Sequence, residues 1–201
     1  MTFAVCCALL VFADVIFFSI TSPRDPISVL YSQQLDGSAA TALTPPTPAP
    51  RRRKLTIPQE VAVSREDGGE VHCMVYRQAE ALVTSTEPQP SLLWIHGGPS
   101  SVDRWGFNGR AQYFANLGFV VVTVNYRGSS GLGLAHHDAV LGNGVGKADL
   151  EDCVAAAAHI RTHAAEMGVD LSRGIGVGGH SWGGYQGGLT QPFAQCRYRD
   201  K

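Results

Sequence analysis

The sequence has no excess of charge of either sign: 16 Lys and Arg stand against 17 Asp and Glu in 201 residues, a net charge of −1. A partner held by general electrostatics, such as nucleic acid or an anionic membrane surface, is therefore not expected. It also lacks a cysteine framework. The five cysteines (Cys6, Cys7, Cys73, Cys153, Cys196) are odd in number and scattered, and they form no CxxC pair. Neither a disulfide ladder nor a structural zinc site is expected, and a reducing, cytoplasmic setting is the simpler reading. No metal or other cofactor is implied.

One long apolar run is present, residues 3–20, broken only by Asp14. No Lys or Arg precedes it as the basic region of a signal peptide would, it is short for a span, and a mid-span Asp costs roughly 2.5–3.5 kcal/mol. Buried strands rich in Val, Ile and Phe, with Asp14 near a turn, are expected in place of a membrane segment.

Further along, residues 27–35 (ISVLYSQQL) read as a strand and 36–38 (DGS) as a turn. Residues 44–54 (TPPTPAPRRRK) have the proline-rich, basic composition of a linker, which divides the chain into an N-terminal strand segment (1–43), the linker (44–54) and a larger unit (55–201). In that unit residues 60–77 are two short alternating strands around a Gly-Gly turn. SLLWIHGG (91–98) and FVVVTVNYRG (119–128) are apolar without alternation, as parallel strands covered on both faces should be. Between them residues 109–118 have helical spacing. Residues 147–168 form the clearest helix, with Leu150, Val154, Ala157, Ile160, Ala164 and Met167 on one face and Gly168 as its stop. A third strand, GIGVGG, and a helix from Trp182 follow. This alternation predicts an α/β fold, a parallel sheet with flanking helices.

The third strand runs into Gly179-His180-Ser181-Trp182-Gly183, a G-x-S-x-G pattern at a strand-to-helix turn. Chemistry explains the spacing. A nucleophile held on a sharp turn presses the residues two before and two after it against each other and the neighbouring strand, so both must lack side chains. The helix behind points its first amides at any negative charge formed there. His96-Gly97-Gly98-Pro99 lies at the end of an earlier strand and offers amides unshielded by side chains. The expected site is thus Ser181 as nucleophile, the Trp182 N–H as one oxyanion donor, and Gly97 and Gly98 as the oxyanion loop. Two competing patterns fit less well. Gly174, Gly176 and Gly179 have dinucleotide-fingerprint spacing but form the strand where they should follow one, and residues 142–148 have Leu141 and Ala148 where a phosphate loop needs Gly and Ser or Thr.

Taken together, LLWIHGGPSS, QYFANLGFVVVTVNYRGSSGLG, DLEDCVAAAAHI and GIGVGGHSWGGY resemble the prolyl oligopeptidase family of serine peptidases, with the acylaminoacyl-peptidase-like branch nearest. The resemblance spans about residues 56–188. It implies a partial α/β-hydrolase fold, an N-terminal segment corresponding to the last blade of a β-propeller, and cleavage of short or N-acylated peptides through an acyl-enzyme at Ser181. The pattern departs in one respect. Family order is Ser, Asp, His, yet after Ser181 the sequence holds one acid, Asp200, and no histidine. His180 projects away from its neighbour's hydroxyl, and His96, His136, His137, His159 and His163 precede the serine. The sequence therefore reads as the front part of a catalytic domain, with self-association expected through an exposed sheet edge. The alternative is a catalytically incompetent remnant that acts at most as a binding module.

Overall fold

A computed structural model describes residues 5–49, 54–83 and 86–194. Two sheets organise them. The first is an antiparallel meander of β1 (Val5–Phe12), β2 (Val15–Thr21), β3 (Val29–Gln34) and β4 (Thr41–Ala42), in that spatial order. The apolar run is therefore two paired strands, turning at Ala13 and Asp14, with Phe12 opposite Val15. Among the described residues no helix is long and apolar enough to cross a membrane.

The second sheet contains β5 (Gln59–Ser64), β6 (Glu70–Tyr76), β7 (Ser91–Ile95), β8 (Val120–Asn125) and β9 (Ile175–Gly179), in the order β5-β6-β8-β7-β9. β8, β7 and β9 are parallel, as expected, while β5 and β6, the strands read as flanking a Gly-Gly turn, are antiparallel, so the sheet as a whole is mixed. The tight turn after Ser64 is the reason. A hairpin returns the chain antiparallel, and only the segments joined through helices run parallel.

Among the described residues five α-helices flank the sheet: α1 (Gly109–Asn116), α2 (Leu134–Asp138), α3 (Ala148–Thr162), α4 (Ala164–Met167) and α5 (Trp182–Ala194). One face of the sheet, including Val71, Cys73, Leu93, Ile95 and Val124, packs against Cys153, Ala156 and Ile160 of α3 and Ala194 of α5. The opposite face, with Met74, Tyr76 and Val121, packs against Ala111 and Ala115 of α1. Burial on both faces is why the central strands show no alternation.

The helix expected over 147–168 is interrupted at His163, whose backbone (φ −109, ψ 20) leaves the helical region. The His163 Nδ1 sits 3.1 Å from the His159 carbonyl oxygen, and the two rings stack at 4.0 Å. Its buried face is also rotated from the expected one: Asp149, Asp152, Cys153, Ala156, Ala157 and Ile160 are buried, whereas Leu150 and Val154 are only half-buried. An apolar periodicity cannot register carboxylates that enter the core because donors await them. Asp152 accepts from the Arg127 backbone N–H (2.6 Å) and guanidinium (3.0 Å), and Asp149 from two side chains of α5.

The two sheets are joined at α1. Gln112, 2% exposed, donates to the carbonyls of Pro23 (3.0 Å) and Thr56 (2.8 Å) and accepts from the Thr56 N–H (2.9 Å). The Arg24 Nε donates to the Leu55 carbonyl at 2.8 Å.

Candidate active site

The parallel strands β7, β8 and β9 deliver three loops to one end of the sheet, the place where open α/β sheets bind ligands. The loop after β9 is two residues long. Ser181 there has φ +53, one of two non-glycine residues with positive φ among those described. A Ser in that region is held against its own preference by what surrounds it. What holds it is the pair of glycines. A Cβ on Gly179 would run into the carbonyl of Gly183, and one on Gly183 into the carbonyl oxygens of Ile95 and His96. Backbone bonds then fasten the turn: Gly183 N–H to the His180 carbonyl at 2.9 Å, Gly184 N–H to the Ser181 carbonyl at 2.9 Å, and His180 N–H to the Ile95 carbonyl at 3.4 Å. Ser181 and His180 are exposed. Trp182 is the first residue of α5, so its N–H is one of those for which a helix offers no internal acceptor.

The loop after β7 closes against this turn. A Cβ placed on Gly97 would lie 2.8 Å from the His180 carbonyl oxygen and 3.3 Å from the Ser181 Cβ, so the backbone at 97 can approach Ser181 only because it carries no side chain. Gly98 has φ +132, and a Cβ there would meet the Ser100 nitrogen at 2.5 Å. Ser181, Trp182, Gly97 and Gly98 are thus brought together.

His96, the first residue of that loop, is buried and makes no hydrogen bond to Ser181. Its Nδ1–H points to the Gly97 carbonyl oxygen at 2.8 Å, its ring stacks on Tyr126 at 4.4 Å, and the Tyr126 hydroxyl donates back to the His96 carbonyl at 3.0 Å. The Ser129 hydroxyl lies 2.9 Å from His96 Nε2 and 2.6 Å from the Tyr126 carbonyl oxygen, with one hydrogen for two acceptors. Burial pushes the His96 imidazole below its ordinary pKa, and it pushes the nearby Asp103 carboxyl up. His136 is likewise tied down, its Nε2 lying 2.9 Å from the Tyr126 carbonyl oxygen. No described histidine hydrogen-bonds Ser181.

A cavity of about 560 Å³ is lined by Met74, Asp103, Trp105, Asn125 and Ser130 among others, and neither Ser181 nor Gly97 and Gly98 are part of its wall. Among the described residues no group of three or more His, Cys, Asp or Glu is placed to hold a metal ion.

Sequence reading missed Asp149 and Gln186, both fully buried and bonded to each other behind the elbow. The available signal was an acid in a helix's first turn, Asp149, with Trp182 and Gln186 one turn apart on another helix.

A sharp strand-to-helix turn carrying an exposed serine at the end of such a sheet defines the α/β-hydrolase class. Comparison with known proteins narrows this. Residues 105–199 match the prolyl oligopeptidase family. The chain is 38% identical over 100 residues to dipeptidyl aminopeptidase BIII of Pseudoxanthomonas mexicana, covering 49% of the chain and 14% of that protein. It is 38% identical over 96 residues to the acylamino-acid-releasing enzyme of Arabidopsis thaliana, covering 48% of the chain and 12% of that protein. Among solved structures, puromycin hydrolase superposes with a TM-score of 0.78 at 26% identity, covering 91% of the chain and 27% of its own. These similarities support a peptidase of the prolyl oligopeptidase family. The chain spans between 12% and 27% of the length of these three proteins.

Proposed function

We propose that this chain carries the nucleophile and the oxyanion donors of a serine peptidase, acting on short or N-acylated peptides. The observation that carries this reading is Ser181 at φ +53, held on a turn that only glycines at 179 and 183 permit. In the reaction the Ser181 Oγ attacks the scissile carbonyl carbon, its proton passes to a base, and the carbonyl oxygen becomes an oxyanion. The N–H of Trp182 and the backbone of Gly97 and Gly98 receive that charge, aided by the α5 N-terminus. Collapse expels the amine and leaves an acyl-serine ester, which water then cleaves. On this reading residues 1–43 are the last blade of a propeller, 44–54 the linker and 55–201 the first part of the catalytic domain. Puromycin hydrolase, an acylamino-acid-releasing enzyme and a dipeptidyl aminopeptidase among the relatives support a substrate drawn from short or N-acylated peptides.

A second reading, a catalytically incompetent binding module, is favoured by one observation: His96 and His136 are committed to other bonds, and no described histidine reaches Ser181. Turnover of acetyl-alanine p-nitroanilide by the 201-residue chain, beside Ser181→Ala, tests the two. Without base and orienting acid, residual catalysis over water is about 10³–10⁴-fold, and the chain alone is expected to stay near that level. Robust Ser181-dependent turnover would show that a base has been overlooked, and a rate no faster than water in both proteins would support the binding module.

A further inference from the structure

We infer that Asp149 is a positioning residue of the elbow: its carboxylate holds the indole of Trp182 and through it fixes the direction of the Trp182 backbone N–H. This inference rests on the serine-peptidase reading above, in which that N–H is an oxyanion donor. Asp149 lies in the first turn of α3 and is fully buried. Its Oδ2 accepts from Trp182 Nε1 at 2.9 Å and from Gln186 Nε2 at 2.6 Å, and its Oδ1 accepts from the Leu150 N–H at 3.0 Å. Every partner is a neutral N–H, and among the described residues no cation pairs with it.

Burying a carboxylate without a cation is costly, and apolar side chains could have joined the two helices more cheaply. They do so one turn further along α3, where Cys153, Ala156 and Ala157 are fully buried. What apolar packing cannot supply is direction. Trp182 and Gln186 stand four residues apart on one face of α5, so a single carboxylate oxygen grips two successive turns and opposes both sliding and rotation of the helix start. That start is soft without help. Gly183, Gly184, Gly187 and Gly188 fall within α5, and glycine is the residue that holds a helix least well apart from proline. The glycines at 183 and 179 are demanded by the elbow's close contacts, so the stiffness they forfeit must come from elsewhere. The bonds to Asp149 provide it one residue after the nucleophile.

The experiment uses the full chain and two readouts. Trp94, Trp105 and Trp182 are the only tryptophans, so the ¹H–¹⁵N spectrum should hold three indole resonances, with Trp182→Phe identifying one. The second readout is the rate at which a fluorophosphonate modifies Ser181, followed by intact mass. Asp149→Asn keeps the shape but turns one acceptor into a donor, which cannot satisfy all three N–H groups at once. It should move the Trp182 indole resonance and slow modification of Ser181. Loss of one oxyanion donor costs about 10²–10³-fold, so a misdirected one should cost at least about ten-fold. Cys153→Ala, which removes buried packing on the same helix, should lower stability and leave the rate within about two-fold. Asp149→Asn should add little in a Trp182→Phe background, because the indole carries the effect. Should Asp149→Asn fail to fold, Trp182→Phe, which keeps an aromatic ring and loses the N–H, carries the same ten-fold expectation. An unchanged rate in Asp149→Asn despite a moved indole resonance, or fully additive losses in the double variant, would overturn the inference and leave Asp149 a structural residue. A chain that takes no label at Ser181 while the indole responds as expected would instead overturn the peptidase reading, and the role given to Trp182 with it.

Discussion

The α-carbon of Gly183 rests so close to the carbonyl oxygen of Ile95 that no side chain fits between them. Ile95 ends β7 and Gly183 opens the second position of α5, so this contact sets how tightly the elbow packs beneath the oxyanion loop. Gly183→Ala must shift one of two backbones, a change of the overpacking kind that costs about 1–3 kcal/mol. A lowered urea midpoint together with loss of fluorophosphonate labelling at Ser181 is expected. Labelling at the unmodified rate would mean the contact is looser than described.

Arg127 and Asp152 should be the most sensitive ion pair. Asp152 has no exposed side-chain surface, Arg127 is 15% exposed, and their closest approach between charged groups is 2.9 Å. Arg127→Ala leaves the buried carboxylate with only the Arg65 Nε as a cationic partner, 3.7 Å from its Oδ1, so the loss should approach the roughly 3–5 kcal/mol of breaking a buried pair without reaching all of it. Chemical denaturation of the variant checks this. Arg127→Lys should recover part of the loss, because an ammonium supplies charge without the fork that also reaches the Ala148 carbonyl at 3.0 Å and Glu151 at 2.8 Å.

Stability should fall on mild acidification. Burial is the leading cause that pushes His96, His136 and His159 below the ordinary imidazole value of 6.5. The folded chain therefore binds fewer protons than the unfolded one between 6.5 and the folded values. The contribution is complete above 6.5 and is lost as pH falls through that window. Asp103 and Asp152, raised by burial, act in the opposite sense above 3.8, since their folded forms bind protons more readily. The imidazole part is isolated by comparing urea midpoints at about pH 7.5 and pH 5.5 in the parent and in His96→Gln. The variant should show the shallower decline, and identical slopes would refute the assignment to His96.

Among the described residues β9 pairs with β7 along one edge and with nothing along the other. An open edge on an outermost parallel strand is a template for another chain. The isolated 201-residue polypeptide is expected to self-associate, giving concentration-dependent sedimentation at micromolar protein. A monomer that unfolds cooperatively over that range would contradict this.

Much of the sheet was legible because both faces are covered, which makes β7 and β8 unbroken apolar runs. The elbow was legible because its glycines answer a local steric demand. The interior of α3 was not, since Asp149 and Asp152 look like solvated acids near a helix start until α5 and the loop after β8 bring donors to them. Gln112 was hidden for the same reason: its three partners come from residues 56 and 89 positions away in sequence. His96 kept its expected place beside Gly97, but its ring turns inward onto Tyr126, a choice made by packing that the HGGP letters do not encode.

The central claim is that Ser181 is a nucleophile set in a preformed elbow. Its most direct test is fluorophosphonate treatment of the intact chain followed by mass mapping of the modified peptide, with Ser181→Ala alongside. The account predicts a single adduct, on Ser181, formed slowly because no described base assists it, and absent from the Ser181→Ala protein. Adducts spread over other serines, or equal modification of both proteins, would contradict it.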